Sequence, residues 1–301
     1  MLLLDTASLY YRAFYGLPTS LKAPDGTVSN AVRGLLDFVS TLQTIHQPDV
    51  LVACWDDDWR PDWRVELIAS YKAHRVMEVV ETVVDVEVEV EETPDDLAPQ
   101  IPAIAEGLEL LGIPVIGVPG AEADDVIGTL TNKATGPVDI VTGDRDLFQL
   151  IDDQRHVRVL YTAKGVSKLV VYDDAALFDR FGVHANQYVD FAVLKGDPSD
   201  GLPGVAGIGD KTAAQLLSKY ETIAGIEAAA ADPKSEVKPR VRENLLASAD
   251  YLVAARKVVT VRPDLKIKIP TMRRPNKNEF SEFSDEWGLG SVAERALKAF
   301  G

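Results

Sequence analysis

Nine carboxylates of the chain stand in five short clusters, and each cluster follows closely on a hydrophobic run. They are Asp5, Asp56, Glu122, Asp124, Asp125, Asp144, Asp146, Asp197 and Asp200. Two like charges about 4 Å apart repel by roughly 4 kcal/mol at an effective dielectric constant near 20, so carboxylates that converge in one pocket oppose folding. Divalent cations such as Mg²⁺ and Mn²⁺ remove that cost because they prefer oxygen ligands, and a pair of them is the usual means of cleaving a phosphodiester. The pattern therefore predicts a site for two or more such ions.

Each cluster taken alone also has a simpler explanation. The segment from Glu122 to Asp125 begins a predicted helix, where a carboxylate commonly caps backbone amides, although capping does not require three of them. Asp144 and Asp146 alternate, so both face one side if the segment is extended. Asp197 and Asp200 are three apart, a spacing that shares a face in a helix or tight turn. Either pair by itself is equally consistent with a solvated surface.

Asp5 alone is weak evidence, because an Asp after an apolar run often caps a turn or the next helix. The segment Leu3-Leu4-Asp5-Thr6-Ala7 also suggests a phosphohydrolase with an aspartyl nucleophile. That chemistry usually requires a second Asp two residues later, where this chain has Ala7, so the alternative fails there.

Strand-like and helical patterns alternate through the first half of the chain. We predict strands at Met1–Leu4, Val50–Trp55, Pro114–Val118 and Val138–Thr142, and helices at Ser29–Ile45, Leu97–Leu111 and Ala123–Lys133. The alternation predicts an α/β fold with a mostly parallel central sheet and helices on both faces. Ligands of open α/β sheets bind beyond the carboxyl ends of the strands, and the first four clusters follow strands directly. We therefore expect the clusters to converge on one edge of the sheet.

From about residue 183 the pattern changes to short helices, so we divide the chain into an α/β core at 1–182 and a helical region with a C-terminal tail at 183–301. Further helices are predicted at Ala213–Tyr220, Val241–Lys257 and Val292–Phe300, a short strand or extended return at Thr260–Ile269, and a surface loop at Arg273–Asn278.

A glycine-rich turn at Leu202–Gly209 leads directly into a helix. Glycines let backbone amides approach a phosphate, and a helix N-terminus supplies partial positive charge. The spacing is that of a helix-hairpin-helix motif, at about residues 202–220, which holds a DNA backbone without regard to sequence. A tight helix–helix turn without a ligand is the alternative, and Lys211 favours phosphate. The expected contact residues are Gly207, Ile208, Gly209, Lys211 and Thr212.

The formal charge of −16 does not exclude a nucleic-acid partner. Between Val76 and Asn132 there is no Lys or Arg and there are fourteen acidic residues, so the rest of the chain carries only −2. A basic DNA-facing surface is therefore compatible with the acidic composition. Cys54 is the only cysteine, which excludes an intramolecular disulfide and a cysteine-built zinc site and favours the cytosol. No apolar run reaches about 18 residues, so we expect no membrane segment.

Motifs along residues 2–265 resemble those of bacterial 5′ nucleases, a family that comprises flap endonucleases and the 5′-nuclease domain of DNA polymerase I. In chain order they are Leu4-Asp5 with Tyr11-Arg12-Ala13-Phe14, Trp55-Asp56, Trp63-Arg64, Tyr71-Lys72-Ala73-His74-Arg75, Glu122-Ala123-Asp124-Asp125-Val126, Thr142-Gly143-Asp144-Arg145-Asp146-Leu147, Gly196-Asp197-Pro198-Ser199-Asp200 and Gly207-Ile208-Gly209-Asp210-Lys211-Thr212-Ala213. The motifs agree with the family in type, order and approximate spacing. Because no polymerase or proofreading region follows, we expect a stand-alone enzyme.

The resemblance implies a structure-specific 5′ nuclease, with flap endonuclease and 5′-3′ exonuclease activity on branched, nicked or gapped DNA and on RNA-primer ends. It implies two-metal catalysis with Mg²⁺ or Mn²⁺, and K⁺ at the helix-hairpin-helix turn. Expected partners are DNA, an RNA–DNA hybrid, and a DNA polymerase or ligase that works on the same substrate. The expected location is the bacterial cytoplasm, in association with the nucleoid.

The resemblance also implies roles for single residues. Asp5, Asp56 and Asp124 are assigned to the attacking side, Asp144, Asp146 and Asp197 to the leaving side, and Glu122, Asp125 and Asp200 to ligation or to holding metal-bound water. Tyr71, Lys72 and Arg75 match an arch or clamp helix within about residues 60–100, whose cations contact the scissile phosphate and whose ring stacks on a terminal base. A surface helix with extended cationic side chains is the alternative. Arg12 and Arg64 match positions around the phosphate, and Lys195 is a weaker DNA-binding candidate.

Two departures from the family pattern stand out. Gly201 replaces the Asn that commonly follows the last Asp, which alters a turn or a hydrogen bond near Asp200. Val76–Thr93 is an insertion that many relatives lack. Its alternating Val and acidic residues predict a strand or extended arm with one apolar and one acidic face, lying away from the duplex or narrowing access to the arch, and disorder is equally consistent with this composition.

Two rival functions remain open at the level of sequence. A catalytically silent DNA-junction binder of the same fold is disfavoured because all nine acids are present. A toxin-like ribonuclease of related fold normally lacks the helix-hairpin-helix turn. Metal-dependent cleavage of a branched DNA distinguishes the nuclease from the first rival, and preference for single-stranded RNA identifies the second.

Overall fold

The computed structural model describes residues 1–77, 91–162, 165 and 168–301 and the backbone of 81–83 and 86–88. The strands in this part of the chain are β1 Leu2–Asp5, β2 Leu51–Cys54, β3 Glu81–Val83, β4 Val86–Val88, β5 Val115–Ile116, β6 Val138–Thr142, β7 Val157–Tyr161 and β8 Val170–Tyr172. Six of them form one sheet in the order β5-β2-β1-β6-β7-β8, with only β8 antiparallel to its neighbour. The predicted mostly parallel sheet is confirmed.

The sheet is buried on both faces because its strands are apolar on both sides. In β1, Leu3 packs into one hydrophobic core, whereas Leu2 and Leu4 pack into another, as expected for side chains that alternate along a strand. All three are at most 1% exposed. The parallel strands place their carboxyl ends at one edge of the sheet, where the acidic clusters follow.

Helices cover both faces of the sheet and continue beyond it. They are α1 Thr6–Gly16, α2 Asn30–His46, α3 Asp62–Leu67, α4 Gln100–Leu110, α5 Ala123–Lys133, α6 Asp174–Phe181, α7 Tyr188–Lys195, α8 Asp210–Tyr220, α9 Ile223–Ala231, α10 Pro239–Ala247, α11 Ala249–Val259, α12 Lys277–Glu286 and α13 Ser291–Phe300. The core that contains Leu3 extends into α7–α11, which we call the helical region. No described helix is long and apolar enough to cross a membrane.

Several predicted elements differ from the structure. The predicted helix Val241–Lys257 is two helices, α10 and α11, which meet at Ser248. Of the two predicted alternatives for Thr260–Ile269, the short strand does not form, and the segment is an irregular return of the chain in which Val261 and Leu265 are buried. No bounds were predicted for strands β7 and β8 or for helices α1, α3, α6, α7, α9 and α12.

The arch segment is not an α-helix where the structure describes it. Tyr71 and Lys72 lie in a turn, Ala73–Arg75 is a single 3-10 turn, and Val76 then pairs with Glu91 across the base of an arm. Within the arm, β3 and β4 form an antiparallel pair. The predicted apolar and acidic faces of the arm concern side chains that lie outside the described residues.

The last two helices return to the sheet. Phe280 and Phe283 of α12 lie in the same core as α2 and α4, and Phe283 packs so closely on Gly107 that a Cβ there would lie 2.9 Å from its ring. Arg295 of α13 forms an ion pair with Asp37 of α2 at 2.6 Å. Helices α12 and α13 therefore pack against the helices that cover one face of the sheet.

Candidate active site

A cavity of about 170 Å³ lies at the carboxyl edge of the sheet, and four of the five acidic clusters contribute to its wall. We call it the carboxylate cavity. Its acidic residues are Asp5, Asp56, Glu91, Glu122, Asp124 and Asp144, and its other residues are Ala7, Ser8, Tyr11, Trp59, Lys72 and Arg75. A larger cavity of about 960 Å³ near the C-terminal end of α5 contains none of the nine predicted ligands. Size therefore does not identify the site, whereas the convergence of charge does.

Asp5 ends β1 and caps α1. Its Oδ1 accepts a hydrogen bond from the Ser8 amide at 3.2 Å, and its Oδ2 accepts one from the Thr142 hydroxyl at 2.6 Å. Burial, with smaller contributions from the charges of Asp56 and Asp144, raises the pKa of Asp5 to about 7, and the hydrogen bond from Thr142 opposes the rise. The Asp5 carboxylate is thus held rigidly in a place that disfavours its charge.

Asp56 and Asp124 reach the same cavity from β2 and α5. Asp56 accepts a hydrogen bond from the Ala123 amide at 2.8 Å, at the N-terminus of α5, where a carboxylate is favoured. Burial raises the pKa of Asp56, and the Lys72 charge opposes the rise. Burial also raises the pKa of Asp124 well above its usual value, with Asp144 the next cause. These carboxylates share one small space with too little positive charge.

Three of the four remaining predicted ligands form a second carboxylate group next to the cavity, namely Asp146, Asp197 and Asp200. Asp144 connects the two, because its Oδ1 accepts a hydrogen bond from the Asp146 amide at 2.9 Å. Burial raises the pKa of Asp146 well above its usual value, and the Asp144, Asp200 and Asp197 charges add to the rise. Burial also raises the pKa of Asp200 to about 6.

Glu122 is surrounded by cations and a hydroxyl. It forms ion pairs with Lys72 and with Arg64, the latter at 3.2 Å, and Tyr71 donates a hydrogen bond to it at 2.8 Å. Glu122 is only 3% exposed, and these partners satisfy both of its oxygens. It faces the cavity as a carboxylate whose charge is already compensated.

Asp125 was predicted to ligate a metal ion or to hold metal-bound water, and the structure pairs it with Arg64 instead of exposing it to the cavity. Its two oxygens accept hydrogen bonds from the two terminal nitrogens of Arg64, both at 2.8 Å, and one of them also accepts the Arg262 amide at 2.9 Å. The residue is fully buried and does not line the cavity. The assignment of Arg64 to the phosphate surround is corrected for the same reason, because the Arg64 side chain is only 3% exposed.

Tyr71 and Lys72 lie deeper than the resemblance implied. Tyr71 is 4% exposed and its ring lies in the hydrophobic core, so the expected stacking on a terminal base has no accessible surface here. Lys72 lines the cavity but is held by Glu122 and by the Trp59 carbonyl oxygen at 3.2 Å. Burial alone would lower the pKa of Lys72, yet the Glu122 charge raises it well above its usual value, so the ammonium stays charged.

The other predicted cations lie around the cavity. Arg75 lines it and donates to Asp200 at 3.0 Å, with 35% of its side chain exposed. Arg12 is half-buried on α1 and approaches the backbone at Gly143. Lys195 is half-buried, donates to the Gly196 carbonyl oxygen at 3.2 Å and lowers the pKa of nearby Asp146. Arg75 is therefore the best placed of the three to meet a phosphate inside the cavity.

Residues that sequence reasoning missed hold the acids in place. The Thr142 hydroxyl donates to Asp5 and accepts from the Asp144 amide at 2.7 Å, so one side chain positions two carboxylates. Ser8 accepts from the Gly143 amide at 2.8 Å, and a Cβ at Gly143 would lie 2.6 Å from that hydroxyl. The sequence signal for this contact was the Thr-Gly pair directly before Asp144. Glu91 was also missed, because nothing distinguishes it from the other acids of the insertion.

The helix-hairpin-helix turn forms as predicted in outline. Gly204 and Gly207 have φ of +67° and +78°, and Gly209 precedes the first turn of α8. Gly207, Gly209 and Lys211 are exposed and Thr212 is half-buried. Ile208 is 4% exposed and packs in the core, so its side chain anchors the turn, and the predicted contact of Ile208 with DNA is left to its backbone.

The donors in the cavity fit hard divalent cations that keep much of their water. Among the described residues, no three His, Cys, Asp or Glu side chains come close enough to enclose an ion by themselves. Mg²⁺ is usually held by one or two carboxylates, several waters and substrate phosphates rather than by a closed protein cage. An all-oxygen donor set, an open cavity and carboxylates with raised pKa values match that description.

Comparison with known proteins agrees with this geometry. A model of the 5′-3′ exonuclease N-terminal resolvase-like domain matches residues 1–182, and one of the 5′-3′ exonuclease C-terminal SAM fold matches residues 183–279. A 5′-3′ exonuclease of Streptomyces coelicolor is 54% identical over 98% of each chain. A 5′-3′ exonuclease of Mycobacterium tuberculosis is 44% identical over 99% of this chain and 97% of its own.

A solved structure shares the fold at lower identity. The D15 flap endonuclease of bacteriophage T5, in a pseudo-enzyme–product complex with DNA and metal ions, superposes with a TM-score of 0.64 at 15% identity. The match covers 99% of this chain and 98% of that chain. The sheet, the helices around it and the helical region therefore recur together in another protein.

Proposed function

The chain belongs to the 5′-3′ exonuclease family and is a nuclease of that family, and from this premise we propose how its site recognises and cleaves DNA. The resemblance seen in the motifs is thereby confirmed. The proposed substrates are 5′ flaps, nicked or gapped duplexes and the RNA-primer ends of RNA–DNA hybrids. The observation that carries the proposal is the convergence of Asp5, Asp56, Asp124 and Asp144 on one cavity that lacks the positive charge to balance them.

We propose that Mg²⁺ or Mn²⁺ supplies this missing charge at two positions. The carboxylate cavity offers Asp5, Asp56, Asp124 and Asp144 to one ion, and the second carboxylate group offers Asp146, Asp197 and Asp200 to the other. Such ions lower the pKa of water and stabilise the oxygens of an in-line displacement at phosphorus. Asp125 is left out of both sets because Arg64 occupies its oxygens.

The protein groups have three tasks in this proposal. Thr142 and Ser8 hold Asp5 and the backbone before Asp144, so that the carboxylates keep their places when a cation binds. Arg75 meets the scissile phosphate from the open side of the cavity. Arg12 supports the backbone around Asp144 from α1 rather than reaching into the cavity.

The helix-hairpin-helix turn is proposed to bind the duplex part of the substrate at a distance from the phosphodiester that is cleaved. Exposed Gly207 and Gly209 present backbone amides, and Lys211 adds a cation at the start of α8. K⁺ is the proposed ion at this turn, where the exposed backbone of Gly207 and Gly209 would hold it and its positive charge would favour a phosphate nearby. A DNA polymerase or ligase that uses the same nicks is the proposed protein partner, and the nucleoid in the cytoplasm is the proposed location.

Cleavage of a labelled 5′-flap duplex tests the function directly. We expect cuts near the junction with Mg²⁺ or Mn²⁺ and none in EDTA. The matched control is Asp144→Asn, which should bind the flap as wild type does but lose cleavage, because Asp144 belongs to the first ion position and also accepts the amide of Asp146, a residue of the second. Tight binding by wild type without any metal-dependent product would instead identify a silent junction binder.

A further inference from the structure

Glu91, at the base of the arm, contributes its side chain to the wall of the carboxylate cavity. The two ends of the arm meet where Val76 pairs with Glu91, and the Glu92 amide donates to the Arg75 carbonyl oxygen at 2.7 Å. Glu91 is half-buried and lines the cavity, whereas its neighbour Glu92 is exposed. Successive side chains of an extended segment point to opposite sides, so one of the two acids faces the site and the other faces solvent.

The Glu91 carboxylate has no hydrogen-bond or ion-pair partner among the described residues. Burial and the Asp56 charge raise its pKa, and the two nearby cations, Arg75 and Lys72, oppose the rise. Lys72 is already paired with Glu122. Arg75 donates to Asp200 through one nitrogen and is still partly exposed. Glu91 is therefore a fixed negative charge near the one cation of the described cavity wall that remains open to a ligand.

We propose that Glu91 is a specificity-determining residue whose negative charge offsets that of Arg75 and so weakens the attraction of Arg75 for a substrate phosphate. This inference rests on the proposed function, since the phosphate it opposes is that of a DNA strand entering the cavity. A strand enters only when divalent cations offset both the site carboxylates and Glu91. Without cations, Glu91 weakens the binding of DNA in the cavity, and so it suppresses complexes that cannot be cleaved.

The test compares two isosteric substitutions on adjacent residues, Glu91→Gln and Glu92→Gln, which change the net charge equally. Binding of a fluorescent 5′-flap duplex is measured by anisotropy in EDTA over a series of salt concentrations. Glu91→Gln should bind about fivefold more tightly than wild type at low salt, the order of magnitude for removing one like charge near a phosphate. Its salt slope should steepen by about one, because Arg75 gains a phosphate contact. Glu92→Gln and Glu91→Asp should resemble wild type.

A double-mutant cycle with Arg75→Gln identifies the group through which Glu91 acts. In the Arg75→Gln background, Glu91→Gln should change affinity by less than about twofold, because the cation whose charge Glu91 offsets is gone. Equal gains for Glu91→Gln and Glu92→Gln would overturn the inference, since they would indicate a general charge effect. An unchanged affinity of Glu91→Gln would also overturn it. These tests measure binding affinity in EDTA and need no cleavage. A failure of the wild-type protein to cut the flap with Mg²⁺ or Mn²⁺ would therefore count against the proposed function and not against the role of Glu91.

Discussion

Asp124 and Asp125 are adjacent and acidic, yet the structure assigns them opposite energetic roles. Asp125 neutralises the buried guanidinium of Arg64 through two hydrogen bonds of 2.8 Å. Asp124 faces the cavity, where burial and neighbouring carboxylates raise its pKa and oppose its charge. We therefore predict that Asp125→Asn destabilises the metal-free protein strongly, whereas Asp124→Asn does not.

The magnitude follows from what each substitution leaves behind. The Asp125→Asn change keeps the shape of the side chain, but the neutral amide cannot balance Arg64, whose side chain is 3% exposed. Removing one partner of a buried ion pair typically costs about 3–5 kcal/mol. Glu122, which is 3.2 Å from Arg64, retains part of the compensation, so we expect about 3 kcal/mol. The Asp124→Asn change leaves no cation unpaired and relieves repulsion, so the unfolding free energy of this variant should equal or exceed that of wild type.

Urea unfolding in EDTA at about pH 8, above the raised pKa of Asp5, measures both variants against wild type, and Mn²⁺ titration of the folded variants measures ion binding. We expect Asp125→Asn to unfold at lower urea concentration but to bind Mn²⁺ and cleave when folded. Asp124→Asn should show normal stability, weakened Mn²⁺ binding and no cleavage. If Asp125→Asn kept wild-type stability and lost Mn²⁺ binding as Asp124→Asn does, the assignment of Asp125 to a structural ion pair would be refuted.

Two further predictions concern DNA binding and pH. Lys211→Ala should weaken duplex binding and reduce the salt slope by about 0.9, because one phosphate contact is lost, whereas Lys219→Ala at the other end of α8 should leave the slope unchanged. The pKa of Asp5 is raised to about 7 from about 3.9 in an unfolded chain, so its contribution to stability is present below about pH 4 and is lost as pH rises through about 7. Thermal unfolding in EDTA should therefore show wild type losing stability relative to Asp5→Asn between about pH 4 and 7, by up to about 4 kcal/mol, and saturating Mn²⁺ should reverse the loss. A constant difference between the two proteins over this range would contradict the raised pKa.

Sequence periodicity predicted the bounds of the central strands and helices more accurately than those of elements at the edge of the molecule. Strand β6 and helix α5 have the predicted bounds, because each is a mostly buried segment with a recognisable start, after Pro137 for β6 and after Glu122 for α5. The predicted helix Val241–Lys257 was divided by the structure at Ser248, where the hydrophobic pattern is continuous enough to hide the break. Strand β8 escaped prediction because it is short and partly exposed at the sheet edge.

The types of the site residues were predictable, but their partners were not. The acids at the carboxyl ends of β1, β2 and β6 converge because parallel strands require it. Nothing in the sequence separates Asp125 from Asp124, since the distinction depends on where Arg64 arrives from α3. Likewise Glu91 becomes part of the cavity only through the pairing at the base of the arm. Long-range contacts decide which of several identical side chains performs chemistry.

Because α12 and α13 dock on α2 and α4, the polypeptide crosses between the sheet and the helical region twice, once before α7 and once after α11. Between the two crossings, packing also joins the two parts, because Ile208 of the helix-hairpin-helix turn and Val52 of β2 belong to one continuous hydrophobic core. The turn and the carboxylate cavity are therefore kept at one spacing by buried contacts. The same contacts would fix how far along a bound duplex the cut lies from the point where the turn holds it.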